Sequence, residues 1–166
     1  MRTPGIHTAL LAAAGVLLAT SSEAPRAASE PASDFERFQI FTGCSKLSAF
    51  TVYSGREVTV VGLPEESVHS TVESRIRAAR LLASDSDRPA LTVTVEGEGP
   101  LVKISMSLHK DVLDPATGVT AQAQTWRSFI YTNKGSHVLS SLSRGIDEFL
   151  ANYLRVNGAS CDEPAG

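Results

Sequence analysis

Three histidines outside the N-terminal segment are the side chains best suited to acid–base chemistry near neutral pH: His69, His109 and His137. None has a second histidine or a cysteine at metal-ligand spacing, so the sequence predicts no metal site. Ser136 precedes His137, but a helix N-cap explains this serine without chemistry. A small exported hydrolase, with His109 or His137 acting together with a distant serine or carboxylate, stays open as an alternative function.

Sequence motifs of the common enzyme classes are absent. The chain contains no G-x-S-x-G nucleophile motif and no G-x-x-x-x-G-K-[ST] phosphate loop. Two carboxylate pairs, Glu96 with Glu98 and Asp147 with Glu148, are predicted to lie on solvated turn and helix surfaces rather than in a cleft. We therefore predict no catalytic residues and no cofactor, and favour a non-enzymatic protein.

Two cysteines, Cys44 and Cys161, lie near the two ends of the region that is predicted to fold. A redox pair usually has the C-x-x-C spacing, which this sequence lacks. In an exported protein an even number of cysteines indicates a disulfide. The pattern predicts a structural Cys44–Cys161 bond, worth about 4–5 kcal/mol in the chain-entropy treatment of so long a loop.

Arginines cluster between residues 75 and 88, and three of them are candidates for contact with an anion: Arg75, Arg77 and Arg80. An anionic glycan or a lipid headgroup would suit such a cluster. The alternative, which we favour, is a solvated helix face on which Glu73 partners the arginines.

The single tryptophan, Trp126, is a candidate for contact with a protein partner, together with Gln122 and Gln124. Alternation with Val119 and the alanines that follow it places Trp126 on the sheet face opposite the core. An exposed tryptophan there would be a favourable binding feature. The alternative, which we favour, is that a loop, or the chain between residues 35 and 50, covers the ring.

The N-terminal 24 residues have the layout of a secretory signal peptide. Arg2 is followed by an apolar run from Ala9 to Ala19, and Ser22 and Ala24 are the small residues of a cleavage site. The run is shorter than the roughly 20 residues that span a bilayer. No later segment is apolar enough to do so, and no cysteine follows the run to carry a lipid. We expect an exported protein, periplasmic or extracellular, without an integral membrane segment after cleavage.

The composition is that of an ordinary globular domain. Apolar residues make up 42% and charged residues 20% of the 166 residues, and the net charge is -3. This charge gives no field that would attract nucleic acid or an anionic membrane. We predict a signal peptide at 1–24, a flexible linker rich in Pro, Ala and Ser at 25–38, a single domain at 39–157 and a tail at 158–166 that carries Cys161.

Two amphipathic helices are predicted, one from about Pro64 to Ala83 and one from about Ser136 to Val156. Each has apolar residues at spacings of three and four. These are Val68, Val72, Ile76, Ala79 and Ala83 in the first helix, and Val138, Leu142, Ile146, Phe149 and Tyr153 in the second. Asn157 and Gly158 are predicted to end the second helix.

Strands with alternating apolar and polar residues are predicted between the helices, at 91–96, 102–109 and 119–131, with turns at 97–100 and 114–118. Further strands are expected at Leu47–Tyr53 and at Glu57–Val61. The order strand, helix, three antiparallel strands, helix predicts an α+β fold. It is a two-layer sandwich in which both helices pack on one face of a mostly antiparallel sheet.

The second half of the chain resembles the periplasmic α/β domains of curli secretion lipoproteins and of penicillin-binding-protein activator lipoproteins. The resemblance lies in the D-x-x-T-G turn at Asp114–Gly118, the strand that reaches Trp126, and the C-terminal amphipathic helix. The stretches ESRIRAARL at 73–81 and FLANYLRVN at 149–157 also resemble a group of short bacterial exported proteins of uncharacterised function. The resemblance implies an envelope protein with an α+β fold and carries over no catalytic residue.

These patterns favour a binding or assembly module of the bacterial cell envelope that is not an enzyme. Its expected partner is a protein or another envelope component, and nucleic acid is not expected. A third possibility is a purely structural protein without a small ligand.

Overall fold

The computed structural model describes residues 31–161 apart from 55–62, 85–88, 99, 134 and 136. Three helices and four strands follow one another within these ranges. They are α1 (Asp34–Ile40), β1 (Ser48–Ser54), α2 (Glu65–Ala78), β2 (Ala90–Glu98), β3 (Leu101–Leu113), β4 (Thr120–Asn133) and α3 (His137–Cys161). None of the helices in these ranges is long and apolar enough to cross a membrane.

The four strands form one sheet in the order β1-β2-β3-β4. Strand β1 runs parallel to β2, while the β2–β3 and β3–β4 pairs are antiparallel. The helix α2 connects the two parallel strands, as a crossover connection must. The strand predicted at Leu47–Tyr53 is therefore confirmed as β1, and the one predicted at Glu57–Val61 lies outside the described residues.

One face of the sheet carries the hydrophobic core. Buried side chains of β2 and β3 alternate along each strand and meet the apolar stripes of α2 and α3. The stripe residues Val68, Val72 and Ile76 of α2 are all fully buried, and so are Leu142 and Ile146 of α3. The predicted two-layer α+β fold, with both helices on one face of a mostly antiparallel sheet, is confirmed.

The helix α2 ends at Ala78, five residues before the predicted end at Ala83. Arg80 has a φ of 60°, which a continuing right-handed helix does not allow. The chain then pairs with the residue that precedes β1, because the Leu47 amide donates to the Leu81 carbonyl at 2.7 Å and the Ala83 amide donates to the Leu47 carbonyl at 2.9 Å. This short parallel bridge replaces the last predicted helical turn.

The helix α3 continues to Cys161 and does not end at Asn157 and Gly158 as predicted. Asn157 is fully buried, and its side chain binds the segment that follows α1. A residue type that often ends helices is thus used for a tertiary contact. The first four residues of the predicted tail, 158–161, belong to α3, while residues 162–166 lie outside the described part of the chain. Ser136, the predicted N-cap, is also outside it.

The helix α1 lies partly inside the stretch 25–38 that was predicted to be a flexible linker, and this prediction is wrong for residues 34–38. Ser33 and Glu36 form a capping box at the start of the helix, in which each side chain bonds the other's backbone N–H. The Glu36 carboxylate also pairs with Arg155 of α3. These polar contacts, together with the buried Ile40, hold α1 against α3.

The predicted disulfide between Cys44 and Cys161 is confirmed, with the two Cα atoms 5.1 Å apart. Cys44 follows Gly43 in a turn in which both residues have positive φ, 65° and 60°. A non-glycine residue in this region is strained by about 1–2 kcal/mol. The bond to α3 and the hydrogen bond from the Cys44 amide to Asn157, at 3.2 Å, hold it there.

Candidate functional site

The structure brings Ser107 and His109 together on β3. Their side chains lie two residues apart on the same face, and Ser107 Oγ is 3.1 Å from His109 Nε2. A hydroxyl bonded to an imidazole is the first half of a nucleophile–base pair. Among the described residues, no carboxylate bonds the other ring nitrogen to orient the imidazole. The pair therefore lacks the third member of a hydrolytic triad.

His69 lies between a hydroxyl and a carboxylate. Its Nδ1 is 3.2 Å from Thr51 Oγ1 of β1, and its Nε2 is 3.3 Å from Glu73 Oε1 one turn further along α2. Arg77 holds the same carboxylate group from the other side, at 3.4 Å. The order of groups is that of a triad, but Thr51 lies beneath α2 in the sheet–helix contact. The arrangement is best understood as a hydrogen-bonded link between α2 and β1.

His137 is the first residue of α3 and is exposed. Its backbone carbonyl accepts a hydrogen bond from Ser140 Oγ at 2.9 Å. Its neighbour Ser136 is outside the described residues, so the Ser136–His137 pair named in the sequence has no described geometry. The described ranges also contain no group of three or more His, Cys, Asp or Glu side chains that could hold a metal ion.

The candidate anion-binding arginines are largely engaged with carboxylates. Arg75 Nη1 lies 3.0 Å from Asp147 Oδ2 of α3, and Arg77 pairs with Glu73. Arg80 is exposed beyond the end of α2. These surface pairs each contribute little to stability, but they lower the positive charge that a free anion would meet.

An open cavity of about 730 Å³ lies between α2 and α3. Its walls contain both signs of charge, with Arg75 and Asp147 bonded to each other across it and Arg144 and Glu148 on α3. Among the described residues that line the cavity, none is a histidine or a cysteine. It is therefore a shallow groove whose exposed lining is largely apolar, and its described lining supplies no set of groups for covalent chemistry.

The expected position of Trp126 is wrong. The ring lies on the helix-packed face, with its centroid 4.8 Å from that of Phe149, and is half-buried against the core. The cause is a β-bulge: Leu108 pairs with Trp126 and His109 pairs with Gln124, so that Thr125 is an extra residue in β4. The extra residue reverses the alternation between Ala123 and Trp126, which a sequence pattern alone does not show.

Gln122 and Gln124 lie on the other side of the bulge from Trp126. Both are exposed and pair with Asp111 and His109 of β3. The three predicted contact residues therefore do not form one surface: the glutamines follow one face of the sheet and the tryptophan the other.

The sheet face that carries no helix among the described residues is called the open face here, and exposed apolar side chains flank it at both edges. The flanking residues are Phe50 and Val52 of β1, which are 44% and 45% exposed, and Phe129 and Tyr131 of β4, which are 57% and 51% exposed. The rings of Phe129 and Tyr131 meet edge-on at a centroid distance of 6.4 Å. A band of small hydroxyl side chains separates the two apolar edges: Thr92, Thr94, Ser105 and Ser107.

Charged groups on the open face are few and are mostly paired. Lys103 Nζ lies 3.1 Å from Glu96 Oε2. The hydrogen bond from Lys103 and a second one from Ser54 lower the pKa of Glu96. Arg127 lies over the Phe129 ring at 5.9 Å from its centroid. Ser105 Oγ is buried in the middle of the face and has no hydrogen-bond partner in the described structure. The face is thus largely neutral, with aromatic and arginine side chains on β4.

Sequence reasoning missed the four apolar residues of the open face. Phe129 and Tyr131 fall on the core side if the alternation from Val119 onward is extended without a bulge. Phe50 and Val52 alternate with Ala49 and Thr51, which face the helices. In so short a strand, the pairing with β2 is needed to tell which of the two sets faces the core. Only the observed register shows which side is free.

Comparison with known proteins adds only partial structural likenesses. No protein-family model matches the chain, and no curated protein matches it either. The dodecamer of a PelC variant from Paraburkholderia phytofirmans is 15% identical with a TM-score of 0.38, over 67% of this chain and 86% of that one. A proposed lipoprotein from Caulobacter crescentus is 12% identical with a TM-score of 0.25, over 80% of this chain and 100% of that one. At these TM-scores neither structure carries an assignment of function to this chain.

Proposed function

We propose that the protein is an exported module of the bacterial cell envelope, periplasmic or extracellular, that acts by binding another protein of the envelope rather than by catalysis. The open face of the sheet is the contact surface. Export is supported by the signal-peptide layout of residues 1–24 and by the Cys44–Cys161 disulfide, because such bonds persist in oxidising compartments.

The single observation that carries the binding role is the set of exposed apolar side chains on the open face. A monomeric domain that buries its core on one sheet face usually keeps the other face polar. Here Phe50, Val52, Phe129 and Tyr131 are each at least 44% exposed. Aromatic residues and arginine are enriched in protein–protein interfaces. Phe50, Phe129, Tyr131 and Arg127 of the open face fit that enrichment.

This proposal replaces Trp126 as the centre of the contact surface. Gln122 and Gln124 keep a place at the margin of the open face, since both are exposed beside β3. The anion-contact role of Arg75, Arg77 and Arg80 receives less support, because two of the three arginines are paired with carboxylates.

Site-specific photo-crosslinking in intact cells that export the protein tests the binding role. A photoreactive residue at Phe50 should give a crosslinked product that contains a second, different envelope protein. The same residue at Leu154, which is exposed on α3 on the helix side, should not. Equal products from both positions, or no product from Phe50, would contradict the proposal. N-terminal sequencing of the exported chain should begin at Pro25, and an intact Met1 end would contradict export.

The alternative of a small exported hydrolase has one specific observation in its favour, the 3.1 Å contact between Ser107 and His109. His109→Ala and Ser107→Ala should each abolish turnover of an ester substrate if this pair acts as base and nucleophile. His137→Ala serves as the control at an exposed position of α3. Turnover that is absent in the wild type would remove this alternative, and turnover that is unchanged in the two variants would remove the Ser107–His109 pair as its site.

A further inference from the structure

Strand β4 is the last strand of the sheet and is unusually long for an edge. It spans 14 residues and pairs with β3 on one side, and no described strand lies on its other side. Backbone N–H and C=O groups along such an edge are free to pair with another strand. The edge is therefore a hydrogen-bonding surface in its own right.

Apart from the bulge at Thr125 and the single charge of Arg127, the usual devices that protect an edge strand are missing from β4. Its sequence, TAQAQTWRSFIYTN, contains no Pro, Gly or Lys, and Arg127 is its one charged residue. The bulge residue Thr125 contacts α1, because its hydroxyl donates to the Gln39 carbonyl at 2.6 Å. No described strand pairs with the outer edge of the regular part of β4, from Trp126 to Asn133.

This regular part is complementary to itself in an antiparallel arrangement. If two copies meet about a two-fold axis at Phe129, each Phe129 lies opposite its counterpart, and each Arg127 lies opposite the Tyr131 of the other copy. On the other face Ser128 lies opposite Ile130, and Trp126 opposite Thr132. Aromatic pairs and an arginine beside an aromatic ring are favourable cross-strand neighbours, and no like charges face each other.

We propose that the protein forms a symmetric dimer in which β4 of one copy pairs antiparallel with β4 of the other about a two-fold axis at Phe129. The two sheets then become one continuous sheet of eight strands. We favour a second copy of this chain as the partner of the β4 edge. Every cross-strand pair named above is formed by two residues of β4 itself, as an interface on a two-fold axis requires. The dimer would place two open faces side by side and give the envelope partner a surface twice as wide.

Sedimentation equilibrium on the purified protein, with and without a charge on the axis, tests this dimer. The wild-type protein should have twice the mass of one chain. Phe129→Lys places two lysines opposite each other at the axis and should weaken dimerisation at least about tenfold. Phe50→Lys is the matched control, since it makes the same change at an exposed phenylalanine of the open face on the opposite edge strand. It should leave the dimer unchanged.

Mixing oppositely charged variants tests the position of the axis. Phe129→Lys and Phe129→Glu should each be monomeric alone, because two like charges would face each other at the axis of each homodimer. Their equimolar mixture should form a heterodimer. A monomeric wild type at about 100 µM, an undiminished Phe129→Lys dimer, or a mixture that stays monomeric would each overturn the proposal. Circular dichroism of each variant confirms that the fold is intact. A crosslink from Phe50 to an envelope protein is unaffected by these outcomes, so the dimer and the partner-binding role can fail separately.

Discussion

Asn157 holds the N-terminal part of the domain through several hydrogen bonds of one buried side chain. Its Oδ1 accepts hydrogen bonds from the amides of Thr42 and Cys44, at 2.8 and 3.2 Å. Its Nδ2 donates to the carbonyls of Ile40 and Tyr153, at 3.2 and 2.9 Å. The side chain is fully buried and fully satisfied, which is the condition under which a buried polar group stabilises a fold.

Asn157→Ala should lower the free energy of unfolding by about 2–4 kcal/mol, because it leaves the partly buried amides of Thr42 and Cys44 and the buried carbonyl of Ile40 without this partner. Urea unfolding measures this change. Asn152→Ala is the matched control, since Asn152 is exposed on the same helix, and it should change stability by less than about 0.5 kcal/mol. Equal effects from the two variants would contradict the role assigned to Asn157.

Glu36 makes the stability depend on pH in the acid range. Hydrogen bonds from the Ser33 backbone and side chain and from Arg155 lower its pKa to about 2 from the ordinary value of 4.5. A carboxylate with a lowered pKa in the folded state stabilises above its unfolded pKa, and this contribution is lost as the pH falls from about 4.5 to about 2. Acid unfolding of Glu36→Gln should therefore begin from a lower stability and show a shallower dependence on pH over this window.

The control for the acid-unfolding experiment is Glu148→Gln, on the exposed side of α3. It should leave the pH profile as in the wild type. An unchanged profile for Glu36→Gln would show that the capping box and the Arg155 pair do not survive in solution.

At the residue scale the cysteine pair could be predicted from the sequence, while the surroundings of Trp126 could not. An even number of cysteines in an exported protein indicates a disulfide, and two cysteines can pair in only one way. The side on which Trp126 lies depends on one extra residue in β4, and a bulge at Thr125 leaves no local sign in the alternation of Ala and Gln before it. The contact between Ser107 and His109 needs the strand geometry as well.

The packing of α3 on the sheet depends on the absence of a side chain at Gly145. A Cβ atom built there would lie 2.6 Å from Ile130 Cδ1 and 2.7 Å from Met106 Cε. Both distances are shorter than van der Waals contact, so the ends of these two flexible side chains would have to shift to admit a methyl group at this position. Gly158 of the same helix has no atom within 4 Å of such a Cβ.

Replacing these two glycines by alanine should have opposite effects on thermal stability. Gly158→Ala should raise the free energy of unfolding by about 0.5 kcal/mol, because alanine favours the helix and meets no neighbour. Gly145→Ala should lower it by about 1 kcal/mol, because Met106 and Ile130 must shift to admit the methyl group. Calorimetry of both variants measures the difference, and a stabilising Gly145→Ala would show that the helix does not approach the sheet this closely.

At the scale of elements the sequence predicted the interiors of helices and strands but misplaced their ends. Periodicity of apolar residues comes from burial against a sheet, and it is strong along α2, α3, β2 and β3. The ends depend on particular tertiary bonds, such as the bridge between Leu47 and Leu82 that stops α2. The helix α1 was missed because its seven residues are held by a capping box and by Arg155 rather than by a wide apolar stripe.

The disulfide should be a major part of the stability of the whole domain, since it closes a loop of 117 residues. Replacing both Cys44 and Cys161 by serine should lower the free energy of unfolding by about 2–5 kcal/mol. Reduction of the wild type should reproduce the loss, whereas reductant should have no effect on the double variant. Titration of the unfolded, unreduced protein should find no free thiol, and two free thiols would contradict the bond.

The architecture of the whole molecule could be predicted from the sequence, but the position of its contact surface could not. Two amphipathic helices and a set of alternating strands have few ways to bury their apolar faces, and the two-layer arrangement is one of them. A contact surface need not show any periodic pattern of apolar residues in the sequence. The exposed apolar side chains of the open face come from the two edge strands, β1 and β4. The apolar residues that stay exposed can be identified only when the pairing of every strand, and the sheet face of each of its side chains, is known.

The disulfide also determines how the molecule carries a mechanical load. A chain pulled at its two ends transmits the force through α1 to Cys44, across the covalent bond to Cys161, and out of the domain. The residues enclosed by the 117-residue loop, which include the entire sheet, are bypassed. A protein that is held at one end in the cell envelope and pulled at the other could lose α1 under tension while its open face stays folded.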